Sequence, residues 1–76
     1  MELANLIKII SAVTRINYAP GAITEEKELV KDLRMDSLDI AELSLCLEDE
    51  TGRDFTEVEG TWKTVGDVLT NLNQPA

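Results

Sequence analysis

Apolar residues recur at intervals of three and four positions in three separate segments, and this helical spacing constrains the fold more than any other feature. The first such segment covers residues 2–17, where the spacing predicts a helix. The segment Tyr18-Ala19-Pro20-Gly21 is predicted to end it, because proline and glycine break helices. The apolar positions of this predicted helix are Leu3, Leu6, Ile7, Ile10, Val13 and Ile16.

The other two segments begin with residues that commonly cap helices. Asp36 is the predicted N-cap of a helix over residues 37–51, and Gly52 suits the end of that helix. Thr64-Val65-Gly66-Asp67 is typical of a capping box and predicts a last helix that runs to about Leu72. The predicted inward face of the two helices comprises Ile40, Leu43, Cys46, Leu47, Val65, Val68, Leu69 and Leu72.

The connections between these helices complete the predicted fold. Residues 18–35 form a loop that is longer than most, which its apolar residues Ile23, Leu29, Val30 and Leu33 are expected to pin to the helices. One short helix is expected within residues 56–60. The predicted fold class is therefore all-α, a small four-helix bundle of three longer helices and one short helix with a long loop between helices one and two. We expect residues 1–76 to form a single domain.

Charge and composition exclude several classes of function. The 76 residues carry a net charge of −8 at pH 7 and include no histidine. The negative charge argues against nucleic acid and against anionic membrane surfaces, and it favours basic protein partners. The lack of histidine removes the usual general base and metal ligand, so we expect neither a serine hydrolase nor a metal site. Cys46 is the one cysteine and allows no internal disulfide.

Targeting features are also missing from the sequence. No apolar run approaches the ~20 residues of a membrane span. Glu2 follows Met1 directly, and no basic segment precedes an apolar one as in a secretory signal. We therefore expect a cytoplasmic location without membrane insertion. The chain begins at Met1 and stops just after the last predicted helix, from which we expect a discrete protein, and we expect it to be a monomer.

Ser37 lies at the start of the predicted second helix. Serine is common at such positions as a cap residue without further chemistry. The N-terminus of a helix also favours an anion such as a phosphodiester, so an attachment point is the alternative interpretation. No basic residue occurs from Met35 to Gly52, and Leu38 and Leu45 stand among acids there. This pattern predicts a docking surface for a basic partner, with a solvated acidic face as the alternative.

The segment Leu29-Val30-Lys31-Asp32-Leu33-Arg34-Met35-Asp36-Ser37-Leu38-Asp39, followed by Glu42-Leu43 and Glu48-Asp49-Glu50, resembles an acyl carrier protein. The similarity extends over essentially the whole chain and includes the Thr64-Val65 opening of the last helix. The Asp-Ser-Leu triplet is weak by itself, and it gains specificity from the spacing, the length and the acidity around it.

The resemblance implies a specific function for Ser37. A phosphopantetheinyl transferase would use coenzyme A and magnesium to esterify the Ser37 hydroxyl with phosphopantetheine. The thiol of this arm would hold acyl intermediates as thioesters for partner enzymes of fatty acid, lipid or polyketide biosynthesis. The protein would be a carrier and not a catalyst. An aminoacyl or peptidyl carrier with the same arm, and an unmodified acidic helical adaptor that binds basic partners, are the alternatives.

The resemblance also assigns two groups of residues around Ser37. Lysine and arginine patches on partner enzymes would meet a partner-binding set formed by Asp36, Leu38, Asp39, Glu42, Leu45, Glu48 and Asp49. The candidates for an acyl-chain pocket are Leu47, Phe55, Trp62, Val65 and Leu69, each of which could equally be a core residue. Arg34 departs from the family pattern, which usually has glycine there. We expect Arg34 to contact the phosphate of the arm or to influence partner choice.

Overall fold

The computed structural model describes residues 1–19 and 21–74, which form three α-helices and one short 3-10 helix. Helix α1 spans Leu3–Thr14, α2 spans Ser37–Thr51 and α3 spans Val65–Asn73. Within the described residues there is no β-strand, only an isolated bridge between Glu28 and Thr64. The predicted all-α class is therefore confirmed.

The predicted short helix within residues 56–60 is instead a single 3-10 turn at Glu59–Thr61. The Thr61 backbone N–H donates to the Val58 carbonyl at 2.9 Å, which closes the turn. Ahead of the turn, Asp54 Oδ1 accepts hydrogen bonds from the Thr56 backbone N–H and hydroxyl, both at 2.8 Å. The segment thus forms consecutive turns and one 3-10 turn, with no fourth α-helix among the described residues.

Helix α1 ends at Thr14, so the predicted extension to residue 17 is wrong. The Thr14 hydroxyl donates to the Ile10 carbonyl at 2.8 Å, and Arg15 adopts a left-handed backbone with φ 60°. A left-handed residue directly after the last helical residue is a common helix ending, but glycine normally occupies it. Ile16 falls beyond this ending and is 45% exposed rather than part of the core. Pro20, which was predicted to help end the helix, lies outside the described residues.

Helix α2 begins and ends at the predicted residues. Asp36 Oδ1 accepts from the Asp39 backbone N–H at 2.9 Å, and Asp39 Oδ2 accepts from the Asp36 N–H at 3.3 Å. This reciprocal capping box satisfies two N–H groups at the helix start. At the other end Gly52 has φ 75°, and its N–H donates to the Glu48 carbonyl at 2.7 Å.

The start of α3 is joined to the long first loop by backbone hydrogen bonds. The Leu29 N–H donates to the Lys63 carbonyl at 2.9 Å, and the Val65 N–H donates to the Lys27 carbonyl at 3.0 Å. The Gly66 N–H donates to the Glu25 carbonyl at 2.9 Å, and a Cβ at Gly66 would lie 3.1 Å from that oxygen. A side chain at residue 66 would crowd this carbonyl, and glycine avoids that contact.

Asp67 completes the capping box of α3 at the same junction. The Thr64 and Lys63 backbone N–H groups donate to its Oδ2 at 3.0 and 2.9 Å, and they hold the pKa of Asp67 below its usual value. The predicted capping box at Thr64 is thus confirmed.

One cluster of buried apolar side chains joins the three helices and the first loop. Ile23, Leu29 and Leu33 tie the loop to this cluster, as predicted. Val30 does not, because it is 60% exposed, and its predicted inward role is wrong. The loop is thus fixed at several points and not along its whole length. The buried cluster comprises Leu6, Ile10, Val13, Ile23, Leu29, Leu33, Met35, Leu43, Leu47, Phe55, Trp62, Val65, Val68 and Leu72.

Ser44 places a hydroxyl inside the bundle. The residue is 1% exposed, and its Oγ has no hydrogen-bond partner among the described residues. A buried polar group without a partner costs about 1–3 kcal/mol.

We therefore expect Ser44→Ala to raise the free energy of unfolding by about 1–2 kcal/mol, measured by chemical denaturation. Ser11→Ala in α1 is the matched control and should add only the helix-propensity gain of about 0.5 kcal/mol. Equal gains for the two variants would contradict the account of Ser44.

None of the helices in the described part of the chain has the length and apolar character needed to span a bilayer.

Candidate functional site

The last residues of the first loop alternate between core and surface. Leu33 and Met35 are buried, whereas Arg34 and Asp36 are exposed. Met35 is 1% exposed, and its N–H donates to the Leu29 carbonyl at 2.9 Å. Met35 therefore anchors the chain directly before α2. Sequence reasoning missed this role, although the alternation of Leu33 and Met35 with polar residues was a signal for it.

Ser37 is the first residue of α2 and is exposed. Asp36 is the N-cap, and its carboxylate makes the capping bond that a serine could have made. Within residues 1–19 and 21–74, no hydrogen bond involves the Ser37 hydroxyl. Capping therefore does not explain Ser37. Its free hydroxyl at the positive end of a 15-residue helix suits a covalently attached phosphodiester.

Arg34 lies three positions before Ser37 in an unusual backbone conformation. Its φ is 57°, in the left-handed region that favours glycine. This explains physically why glycine suits the position. The Arg34 side chain is exposed and takes part in no hydrogen bond or ion pair with the residues that the structure describes.

The predicted partner-binding residues lie along α2. Leu38 is 72% exposed and Leu45 is 58% exposed. Together with Glu42 and Asp49 they follow steps of four, three and four residues, which places all four on one side of the helix. Of the described residues, only Lys63 and Glu28 form an ion pair, at 4.0 Å. No acid of α2 therefore forms an ion pair with the described residues, although Lys8 of α1 lines a cleft together with Asp49 and Glu50.

Four of the five acyl-pocket candidates are buried in the core, and the fifth lies at its edge. Leu47, Phe55, Trp62 and Val65 belong to the buried cluster, and Leu69 is partly buried against it. Leu69 lines an open surface cavity of about 410 Å³ together with residues from the middle of the first loop and from the last turn and C-cap of α3: Glu25, Thr70, Asn73 and Gln74.

Trp62 is held by specific contacts within this group. Its Nε1–H donates to Asn71 Oδ1 at 2.5 Å, and its ring centroid lies 6.0 Å from that of Phe55 at an interplanar angle of 50°. The Arg53 guanidinium lies over the face of the Phe55 ring, 5.3 Å from its centroid, as in a cation–π contact. These contacts are those of a packed core.

Across residues 1–19 and 21–74, no three side chains of histidine, cysteine, aspartate or glutamate come together as a metal site.

Comparisons with known proteins agree on one family. The family model described as "Phosphopantetheine attachment site" matches residues 4–72. The acyl carrier protein of Rickettsia canadensis is 36% identical over 69 residues, which cover 88% of this chain and 80% of that protein. This chain belongs to the acyl carrier protein family. The family match implies a covalently attached phosphopantetheine group.

Two further similarities come from mycobacteria. The meromycolate extension acyl carrier protein of Mycobacterium leprae is 37% identical over 73 residues, which cover 95% of this chain and 62% of that protein. A solved structure from Mycobacterium tuberculosis, assigned to the acyl carrier proteins, has a TM-score of 0.79 and 33% identity, and the match covers 90% of this chain and 89% of that one. Acyl carrier proteins are carriers rather than catalysts, and they interact with biosynthetic enzymes.

Proposed function

We propose that this chain holds acyl intermediates as thioesters on a phosphopantetheine arm attached to Ser37. It delivers them to enzymes of fatty acid, lipid or polyketide biosynthesis. The observation that carries the proposal is the exposed Ser37 hydroxyl at the first position of α2, left free because Asp36 caps the helix. A phosphopantetheinyl transferase adds the arm from coenzyme A, so the protein is a substrate of that enzyme and not itself an enzyme.

The chain has no exposed thiol of its own, so a thioester would have to form on the thiol of the attached arm. Cys46 is the one cysteine, and it is half-buried in the middle of α2, where it lines a cleft against α1 beside Ile9 and Ala12. The arm supplies a thiol for thioester formation when it is attached. The protein itself presents Ser37 at the surface, and its core holds the helix that begins there in place.

The exposed side of α2 is the proposed docking face for partner enzymes. Its apolar residues supply contact area, and its acids attract basic patches and so raise association rates. Three carboxylates near the C-terminal end of α2, those of Glu48, Asp49 and Glu50, oppose the helix dipole. Lys8 lines a cleft with Asp49 and Glu50 without forming an ion pair, so a basic partner could still offset these charges. The proposed docking residues are Asp36, Leu38, Asp39, Glu42, Leu45, Glu48 and Asp49.

Charge reversal tests the docking face. Glu42 is exposed and lies outside the capping box, so Glu42→Lys should leave α2 folded. We expect kcat/KM for loading by a phosphopantetheinyl transferase to fall about 5- to 30-fold, because the new lysine repels the basic patch of that enzyme. Glu2→Lys is the matched control with the same change in net charge outside α2, and it should load normally. Equal losses in the two variants would assign the effect to net charge alone.

Several further features belong to the same proposal. We propose that residues 1–76 form a single carrier domain that acts as a monomer in the cytoplasm.

An acyl chain that entered the bundle would contact the candidates Leu47, Phe55, Trp62, Val65 and Leu69. It would have to separate these side chains, which are packed together in the unloaded protein.

The function is tested by loading the purified protein. Incubation with coenzyme A, Mg²⁺ and a broad-specificity phosphopantetheinyl transferase should add one arm per chain, seen as a single increase in intact mass. An unmodified chain, under conditions that load a control carrier, would contradict the proposal and favour an unmodified adaptor. Subsequent charging with acyl groups but not with aminoacyl groups separates the acyl carrier from an aminoacyl or peptidyl carrier.

A further inference from the structure

Arg34 has a left-handed backbone conformation and a charged side chain without an ionic partner among the described residues. Only two non-glycine residues of the described part of the chain have a positive φ, Arg15 and Arg34. Arg15 is explained by its position at the end of α1. Arg34 follows a turn that is closed on either side of it, by the Leu33 N–H to the Glu28 carbonyl and by the Met35 N–H to the Leu29 carbonyl. This turn accounts for its backbone but not for its charge, because its side chain makes no hydrogen bond or ion pair with the described residues. Conformations of this kind persist when something else depends on them, often at functional sites.

The residues around Ser37 are acidic, and this suggests a role for the positive charge of Arg34. Asp36 directly precedes Ser37, Asp39 follows within the first turn of α2, and no lysine or arginine occurs between Arg34 and Arg53. A phosphodiester on Ser37 adds a further negative charge to this acidic environment. Arg34 is therefore the cation nearest in sequence that can offset it.

Arg34 is close enough to Ser37, and has suitable hydrogen-bond donors, to bind a phosphodiester on that serine. Three residues span at most about 11 Å even when fully extended, so the Cα atoms of Arg34 and Ser37 lie no farther apart than that. A long arginine side chain and a phosphodiester on the serine hydroxyl can close such a separation. The guanidinium also presents paired N–H donors that match two phosphate oxygens.

We propose that Arg34 is a positioning residue that pairs with the phosphodiester of the arm. The inference rests on the proposed function of Ser37 as the attachment site. The contact holds the first bonds of the arm against the end of the first loop. Glycine would fit this backbone better, so the backbone alone does not explain an arginine at residue 34. Without the arm, the Arg34 guanidinium has no charged partner among the described residues.

A thermodynamic cycle between the arm and Arg34 tests this pairing. Melting temperatures are measured with and without the arm for the wild-type protein, Arg34→Gln and the control Arg15→Gln, at low ionic strength. Arg15 is the matched control because it has the same exposed side chain and left-handed backbone but lies at the end of α1. We expect the change in melting temperature on loading to be about 2–4 °C more favourable in the wild type and Arg15→Gln than in Arg34→Gln. The difference should shrink in 1 M salt, where charges are screened within about 3 Å.

A spectroscopic measurement accompanies the cycle. In the wild type the NMR resonance of the Arg34 Nε–H should shift when the arm is added, and that of Arg15 should not. Normal loading of all three proteins with equal changes in melting temperature would overturn the pairing and leave the proposed function intact. Failure of the wild-type protein to accept the arm at Ser37 would overturn the proposed function and the pairing with it.

Discussion

Ser37→Ala is expected to abolish attachment of the arm while leaving the fold intact. The substitution removes the hydroxyl that forms the ester and little else, because Ser37 is exposed and its Oγ makes no hydrogen bond with the described residues. The helix cap belongs to Asp36, so α2 should still begin at residue 37. Intact mass after the transferase reaction gives the first readout, and the free energy of unfolding should stay within about 0.5 kcal/mol of wild type.

Ser11→Ala is the matched control for loading, since it removes another serine hydroxyl from a helix and should accept the arm normally. Far-UV circular dichroism on each variant separates a lost attachment point from a lost fold. Full loading of folded Ser37→Ala would mean that another hydroxyl accepts the arm. The assignment of Ser37 would then be wrong.

A large loss of stability is expected for Leu47→Ala. Leu47 is 0% exposed and belongs to the buried cluster between the helices. Removing most of such a side chain typically costs 2–5 kcal/mol, because both apolar burial and packing contacts are lost. A chain of this size has a total stability of about 4–11 kcal/mol, so the variant should unfold at a markedly lower denaturant concentration. In thermal unfolding the melting temperature should fall by about 10–30 °C.

Leu45→Ala provides the comparison within the same helix. Leu45 is 58% exposed, so its replacement should change the free energy of unfolding by no more than about 0.5 kcal/mol. A similar small effect for Leu47→Ala would show that Leu47 contributes little to packing in the unloaded protein. It would favour a preformed acyl pocket at that residue.

Helix α2 was predictable from sequence at both ends because its signals are local. Asp36 and Asp39 have the spacing of a capping box, and Gly52 takes the left-handed conformation that ends the helix. The end of α1 was not predictable in the same way. Its left-handed residue is Arg15 rather than glycine, so nothing in the composition near Thr14 marks the ending.

The arrangement of the first loop depends on contacts distant in sequence. Backbone bonds from Leu29 to Lys63 and from Gly66 to Glu25 fix the loop against the start of α3. Apolar spacing indicated that the loop was pinned, but it could not identify these partners. For the same reason it could not distinguish Val30, which is exposed, from its buried neighbour Leu29.

The candidate site was predictable to a similar extent. The positions of Ser37, its capping neighbour Asp36 and the exposed leucines follow from spacing on a single helix. The attachment role of Ser37 came instead from the resemblance to acyl carrier proteins. The anchoring role of Met35 depends on its hydrogen bond to Leu29, and the strain at Arg34 depends on a backbone angle, so neither could be obtained from residue types alone.

Peptide mapping of the protein purified from its native source tests the central claim most directly. Proteolysis and tandem mass spectrometry should locate a phosphopantetheine arm on the peptide that contains Ser37, and hydroxylamine should release an acyl group from its thioester. That result would establish both the attachment site and the cargo class. An unmodified Ser37, in cells that load their other carrier proteins, would contradict the account.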